Sequence, residues 1–309
     1  MAVVGASGFI GRAIAERLTD SGIRVITVRA PRIAVAPGTD PGPAASQWAA
    51  AHATEFARVI DELHGATAVI NAAGLATATA VESPDLWGAD AVLPGVVGLA
   101  SVAASTPRFV HVSSAAVQGS RTTLDERPYD GSAHSPYARA KGAGEIAVAA
   151  VTTDTGTTAV VYRPPSVLGA ERPIAGRLAR VLKAGWLVVP DGQVPLPVAH
   201  VDHVARAVEC LAAAPDPPPI VTHPWETMTT ASLASAFGRN DAIRRLPQPL
   251  AWPAVRLVRL LARGGPLAGH ARRIELLWDG QHQQSSLPGL GFALSNPGAA
   301  FRQLGDQLD

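Results

Sequence analysis

The chain opens on a short apolar run, Ala2 to Val4. It passes straight into Gly5-Ala6-Ser7-Gly8-Phe9-Ile10-Gly11 and then into a segment with apolar residues at helical spacing, Ile14 and Leu18. An apolar run, a glycine turn and a helical stripe predict strand, tight turn and helix. Gly22 ends that helix, and Arg24 to Val28, rich in β-branched residues, predicts a second strand. Together they make a βαβ unit.

Proline and glycine crowd residues 31 to 43, so the third strand expected at Ile33 to Ala36 is brief and leads into an irregular loop. Further along, the pattern predicts a helix over 47–64, a strand from Ala68 to Asn71, a helix over 86–105 interrupted at Pro94-Gly95, and a strand from Phe109 to Ser113. A helix from Tyr137 to about Val151 and a strand from Thr158 to Tyr162 follow. Strands alternating with helices favour an α/β fold with a parallel sheet, because parallel neighbours need long crossovers. Past residue 169 the pattern changes to helical segments joined by Pro-rich connections such as Pro215 to Pro219. The expected division is 1–169 for the sheet domain and 170–309 mainly for a smaller substrate lobe, some of whose segments return to the sheet.

Composition narrows the function classes. Hydrophobic residues make up 47% and charged residues 17% of 309, which suits a buried sheet covered by helices. A net charge of +1 gives no concentrated basic face for nucleic acid, so a small-molecule partner is expected. The single cysteine, Cys210, excludes an internal disulfide and a cysteine-built zinc site; its plainest reading is a small buried apolar residue in a reducing compartment. The N-terminus shows no secretion signal, and the uncharged runs Ala66 to Val81 and Ala91 to Pro107 are short for a membrane span. The expectation is a cytoplasmic protein without an integral membrane segment.

Gly5, Gly8 and Gly11 would let backbone N–H groups approach a pyrophosphate at a helix N-terminus, where the helix dipole favours negative charge. A glycine turn without a ligand has the same spacing. The residue that closes the second strand, about 20 positions on, decides between the nicotinamide dinucleotides, since a carboxylate repels a 2′-phosphate. Here it is Arg29, with Arg32 nearby, which favours NADPH over NADH unless both are solvated surface arginines. Tyr137 and Lys141 stand four apart on one helix face. A tyrosine titrates near pH ~10, and an adjacent ammonium favours its phenolate. Ser113-Ser114 ends a strand where a hydroxyl faces the ligand crevice of an open sheet; such serines also cap the following turn.

These segments, with Asn71-Ala72-Ala73-Gly74, Val112-Ser113-Ser114-Ala115-Ala116-Val117, Tyr137-Ala138-Arg139-Ala140-Lys141 and Arg163-Pro164-Pro165-Ser166-Val167-Leu168-Gly169, resemble the extended short-chain dehydrogenase/reductases of the epimerase/dehydratase group over about the first 210 residues. The resemblance implies a Rossmann-type doubly wound parallel sheet, a nicotinamide cofactor (NADP, with NAD the alternative), nucleotide-sugar substrates and a helix-mediated homodimer. It also implies Ser114 as catalytic serine, Tyr137 as acid/base and Lys141 as the residue that lowers its pKa and holds the nicotinamide ribose. Gly5, Ser7, Gly8, Phe9, Ile10 and Gly11 would form the phosphate loop. Asn71, Ala72, Ala73 and Gly74 would pass beneath the cofactor, and Pro164 and Val167 would face the nicotinamide amide. Three features depart from the pattern: Gln118-Gly119 replaces a frequent Tyr-Gly, Asp90 stands where the family has a helix asparagine, and no acidic residue marks the adenine side.

The reaction expected is hydride transfer between NADP and a ketone or secondary alcohol, of a nucleotide-activated or deoxy sugar. An epimerase or dehydratase and a catalytically silent NADP-binding sensor are the alternatives. Ala115-Ala116 after the serine disfavours dehydration, which uses an acidic pair there, and the intact Ser114, Tyr137 and Lys141 disfavour a sensor. His200-Val201-Asp202-His203 is a helix start rather than a metal cluster. Residues 252–263 read either as a membrane-surface helix or as a lobe helix with its charged face in water.

Overall fold

The computed structural model describes residues 1–75, 81–133, 135–183, 187–189, 193–237, 243–262 and 268–308. Six strands form its main sheet: β1 (Ala2–Val4), β2 (Ile26–Val28), β3 (Val69–Asn71), β4 (Arg108–Val112), β5 (Thr158–Arg163) and β6 (Ile220–Thr222). They lie in the order β6-β5-β4-β3-β1-β2, every neighbouring pair parallel. The chain runs outward from β1 to β2 on one side and to β3 on the other. A crevice therefore opens at the carboxyl ends of β1 and β3, where open α/β sheets bind ligands.

Alternate residues explain the two faces. Val4, Val69 and Phe109 point into one core with the helices Pro41–Ala51, Ala53–Leu63, Pro84–Ala103 and Pro136–Thr152. Val3, Ile70 and Val110 point into the other, with the helices Phe9–Asp20 and Val201–Ala213. Strands covered on both sides need apolar residues at successive positions, and β1, β3 and β4 are buried throughout.

Two local expectations are corrected. Residues 33–36 form no strand: Ile33 is buried, but the segment is irregular and Val35 N–H bonds to the Pro84 carbonyl. The helix Pro84–Ala103 is continuous across Pro94-Gly95. A π-helical segment, Gly88–Val92, precedes the proline and widens the turn that its missing N–H would otherwise break. This 20-residue helix is long and apolar enough to cross a membrane, yet 78% of its apolar window is buried inside the fold.

Beyond β5 the chain builds a third core from Leu168, Leu196, Met228, Leu233, Phe301 and Leu304. A parallel pair, Thr123–Leu124 with His282–Gln283, ties this part to the first half. The helix Gln248–Ala262 packs against the helix Ala268–Asp279, with Val255 and Val258 partly buried, and leaves Leu250, Leu257 and Leu260 more than half exposed. Arg263 lies outside the described residues.

Candidate active site

The glycine loop is shaped by two close approaches. Gly5 leaves β1 at φ +84°, and a Cβ there would lie 2.6 Å from Ala73 N. A Cβ on Gly11 would lie 2.1 Å from the Gly5 carbonyl oxygen, so only glycine lets the helix start so near the strand. Ser7 and Gly8 are exposed, and Gly8 begins the helix with neither a side-chain cap nor an acidic residue in the first turn. Its first N–H groups are thus open to an anion from outside. Val4 pairs with Val28, which sets the exposed Arg29 beside this loop, with exposed Arg32 three residues on. Glycine cradle, uncapped helix start and guanidinium pair fit a dinucleotide carrying a 2′-phosphate.

Asn71 closes β3 with its side chain in the core, where Oδ1 accepts from Ala73 N (3.2 Å) and Nδ2 lies 3.3 Å from His111 Nδ1. The residue shapes the Ala72–Gly74 turn from behind. Gly74 sits against the next group of residues, where a Cβ would be 2.3 Å from Asp90 Oδ1 and 2.9 Å from Lys141 Nζ.

Ser135 caps the helix Pro136–Thr152 by accepting from Ala138 N (3.1 Å), which places Tyr137 in its first turn and Lys141 one turn on. Ser114 Oγ accepts from Ala116 N (3.2 Å), so the hydroxyl caps the following turn and keeps its hydrogen for donation. It stands close enough to the Tyr137 phenol to lower its pKa. Ser113 points the other way and donates to Glu145 Oε1 at 2.5 Å. Glu145 forms a buried two-pronged pair with Arg163, at 2.9 and 2.5 Å, which ties the Tyr–Lys helix to β5.

Lys141 Nζ lies 3.1 Å from Asp90 Oδ1 and donates to the Val112 carbonyl at 3.3 Å. Two of its three donors are used, and the group still lines the cavity. Burial pushes the Lys141 ammonium down, but Asp90, aided by Tyr137 and Glu145, more than offsets it and holds the pKa above the usual lysine value. The phenol of Tyr137 also stands above its usual value. Burial raises it most, Lys141 opposes, Asp90 adds to the rise, and Ser114 and Arg172 lower it. The expected acidifying ammonium is present, and desolvation together with Asp90 outweighs it.

Ser114, Tyr137 and Lys141 line one cavity of about 440 Å³ at the carboxyl end of the sheet, together with Ile10, Ala72, Gly74, Pro164 and Val167. A larger hollow, about 770 Å³, runs along the outer face of the single helix Ala53–Leu63 and holds none of these groups. The sequence marks no site residue beyond Val167, and Arg172, Arg177, Leu276 and Gln281, which also line the cavity, were not foreseen. A guanidinium three positions past the Arg163–Gly169 segment was the available signal for Arg172; nothing local marks Leu276 or Gln281. His203, from the segment set aside as a helix start, donates from Nδ1 to buried Glu226 (2.7 Å), which His223 also contacts (2.8 Å). Among the described residues no group of three or more His, Cys, Asp or Glu side chains is arranged to hold a metal ion.

The fold is shared with solved structures of low sequence identity. MoeE5 in complex with UDP-glucuronic acid and NAD is 19% identical, with TM-score 0.68 over 99% of this chain and 97% of that one. Human epimerase family protein SDR39U1 with NADPH is 21% identical, with TM-score 0.68 over 99% and 98%. UDP-glucuronic acid 4-epimerase from Bacillus cereus in complex with NAD is 15% identical, with TM-score 0.65 over 99% and 96%. A search of curated proteins finds no match. The model of the NAD dependent epimerase/dehydratase family matches residues 1–221, the span holding the glycine loop, Ser114, Tyr137 and Lys141, and the chain belongs to that family as an enzyme of the short-chain dehydrogenase type.

Proposed function

We propose that this protein is an NADP-dependent oxidoreductase that interconverts a ketone and a secondary alcohol, with a nucleotide-activated or deoxy sugar as substrate. The carrying observation is the convergence of Ser114, Tyr137 and Lys141 on one cavity beside the glycine loop. Ser114 donates its remaining hydrogen to the substrate oxygen and aligns it with the Tyr137 phenol. Tyr137 gives its proton to that oxygen as negative charge develops there, and takes it back in the oxidative direction. Lys141, kept charged by Asp90, stabilises the phenolate left behind. Gly5 to Gly11 would hold the diphosphate, Arg29 and Arg32 the 2′-phosphate, and the bound nicotinamide supplies or accepts the hydride.

A second reading, an epimerase that retains its cofactor, is supported by the family match and the fold shared with UDP-sugar epimerases. The test is to purify the protein, look for bound dinucleotide by absorbance and mass, and follow NADPH and NADH consumption with keto-sugar nucleotides. Empty protein that consumes NADPH supports the reductase; retained NAD with sugar interconversion overturns it in favour of the epimerase. Tyr137→Phe should abolish turnover and leave cofactor affinity intact.

A further inference from the structure

Residues 243–274 carry seven arginines and no Asp, Glu or Lys, so the chain's net charge of +1 hides a strong local excess of positive charge. The helix Gln248–Ala262 lies within this stretch. One side of it, with Val255 and Val258, packs against the helix Ala268–Asp279. On another side Leu250, Leu257, Leu260 and Leu261 follow the spacing i, i+7, i+10 and i+11, which aligns them in one stripe. Their exposures are 58%, 57%, 62% and 39%, and Arg256 among them is exposed as well. A helix whose outer face met only water would carry polar residues there. Charge decides what covers the stripe. A second copy of this chain would set the same arginines against these and repel. A nucleic acid would answer the arginines and leave the four leucines in water. An anionic phospholipid surface satisfies both, because leucines enter the acyl boundary while arginines keep their guanidinium groups at the lipid phosphates.

We propose that the helix Gln248–Ala262 docks the protein on an anionic phospholipid surface. With 15 residues it is short for a span, so it lies in the plane of the interface and the contact is peripheral. The helix it packs against carries Leu276, which lines the cavity of Ser114, Tyr137 and Lys141, so the docking element adjoins a wall of the active site.

The experiment sediments the full-length protein with extruded vesicles of phosphatidylcholine or of phosphatidylglycerol. Wild type is compared with Leu257→Ser/Leu260→Ser and with Arg256→Gln/Arg259→Gln, with circular dichroism and thermal melts as folding controls. Wild type should bind the anionic vesicles and not the zwitterionic ones, and added salt should weaken the binding. The leucine pair should lower partitioning by about tenfold or more, as buried apolar area is lost. The arginine pair should lower it by about fivefold for each charge removed. Anisotropy with duplex DNA and light scattering without vesicles test the other two occupants. No binding to anionic vesicles, equal binding to both kinds, or a leucine variant that binds like wild type overturns the proposal. Binding to duplex DNA in place of vesicles also overturns it, as does a wild-type dimer that the leucine substitutions convert to monomer.

Discussion

Replacing Asp90 by Asn removes one charge from a buried ion pair and leaves its shape. The lost attraction is large on paper: two unit charges 3.1 Å apart at an effective dielectric of about 20 attract by roughly 5 kcal/mol. The pair as a whole contributes far less, because burial pushes the Asp90 carboxyl above its usual value and Lys141 offsets that only in part. Breaking such a pair from one side is what costs, about 3–5 kcal/mol, since an uncompensated ammonium remains in the core. The Asn oxygen can still accept from Leu75 N–H, as Asp90 Oδ1 does at 3.2 Å, so the lower figure is expected. At roughly 2 °C per kcal/mol for a chain of this size, Asp90→Asn should melt about 6 °C below wild type at pH 7.

The pH dependence follows from Lys141. Its folded pKa is raised, so its stabilising contribution is complete below the usual lysine value of 10.5 and fades as pH rises through the folded value. The melting gap between wild type and Asp90→Asn should therefore close at strongly alkaline pH, where a neutral Lys141 no longer suffers from the missing carboxylate. Adding Lys141→Met should recover most of the loss at neutral pH. Without the carboxylate, Tyr137 also loses a group that raises it, and the alkaline limb of the reductive pH–rate profile should move to lower pH. Thermal melts at pH 7 and above pH 10.5 decide the matter. Asp90→Asn melting with wild type, or a double variant no better than the single, would refute the reasoning.

Three other outcomes are expected. Gly11→Ala puts a methyl 2.1 Å from the Gly5 carbonyl, so the loop must shift; a stability loss of about 1–3 kcal/mol and a marked loss of NADPH binding should appear in melts and fluorescence titration. Arg29→Asp should lower the preference for NADPH over NADH by about tenfold or more in kcat/KM, since a carboxylate repels the 2′-phosphate and accepts ribose hydroxyls. Glu226→Gln removes the charge and turns one of the two oxygens that face His203 and His223 into an NH2 donor, and should destabilise by about 3–5 kcal/mol at neutral pH. Burial raises the Glu226 carboxyl, but the two histidines outweigh it and hold the folded pKa low. Its contribution is present above the usual value of 4.5 and lost as pH falls through the folded one, so the gap to wild type should narrow in acid denaturation below that value.

Local signals carried much of the site. The glycine spacing, the Tyr137–Lys141 interval and the serine after β4 each depend on one turn or one helix face, and Ser114, Tyr137 and Lys141 line one cavity. The failures came where distant segments decide. Ile33 to Ala36 looked like a strand, but pairing with a sheet edge is a tertiary event, and this segment bonds to Pro84 instead. Pro94 looked like a break because the compensating π turn lies in the preceding residues.

From the amino acids alone came the alternating strands and helices, the glycine turn and the candidates Ser114, Tyr137 and Lys141, because these rest on spacing of a few residues. Only the folded chain decided that Asp90, some fifty residues before Lys141 in sequence, neutralises that ammonium at 3.1 Å, and that Arg172 and Arg177 face the same cavity as Tyr137. Charge and desolvation act through space, so the acidity of the phenol is a property of the packed molecule.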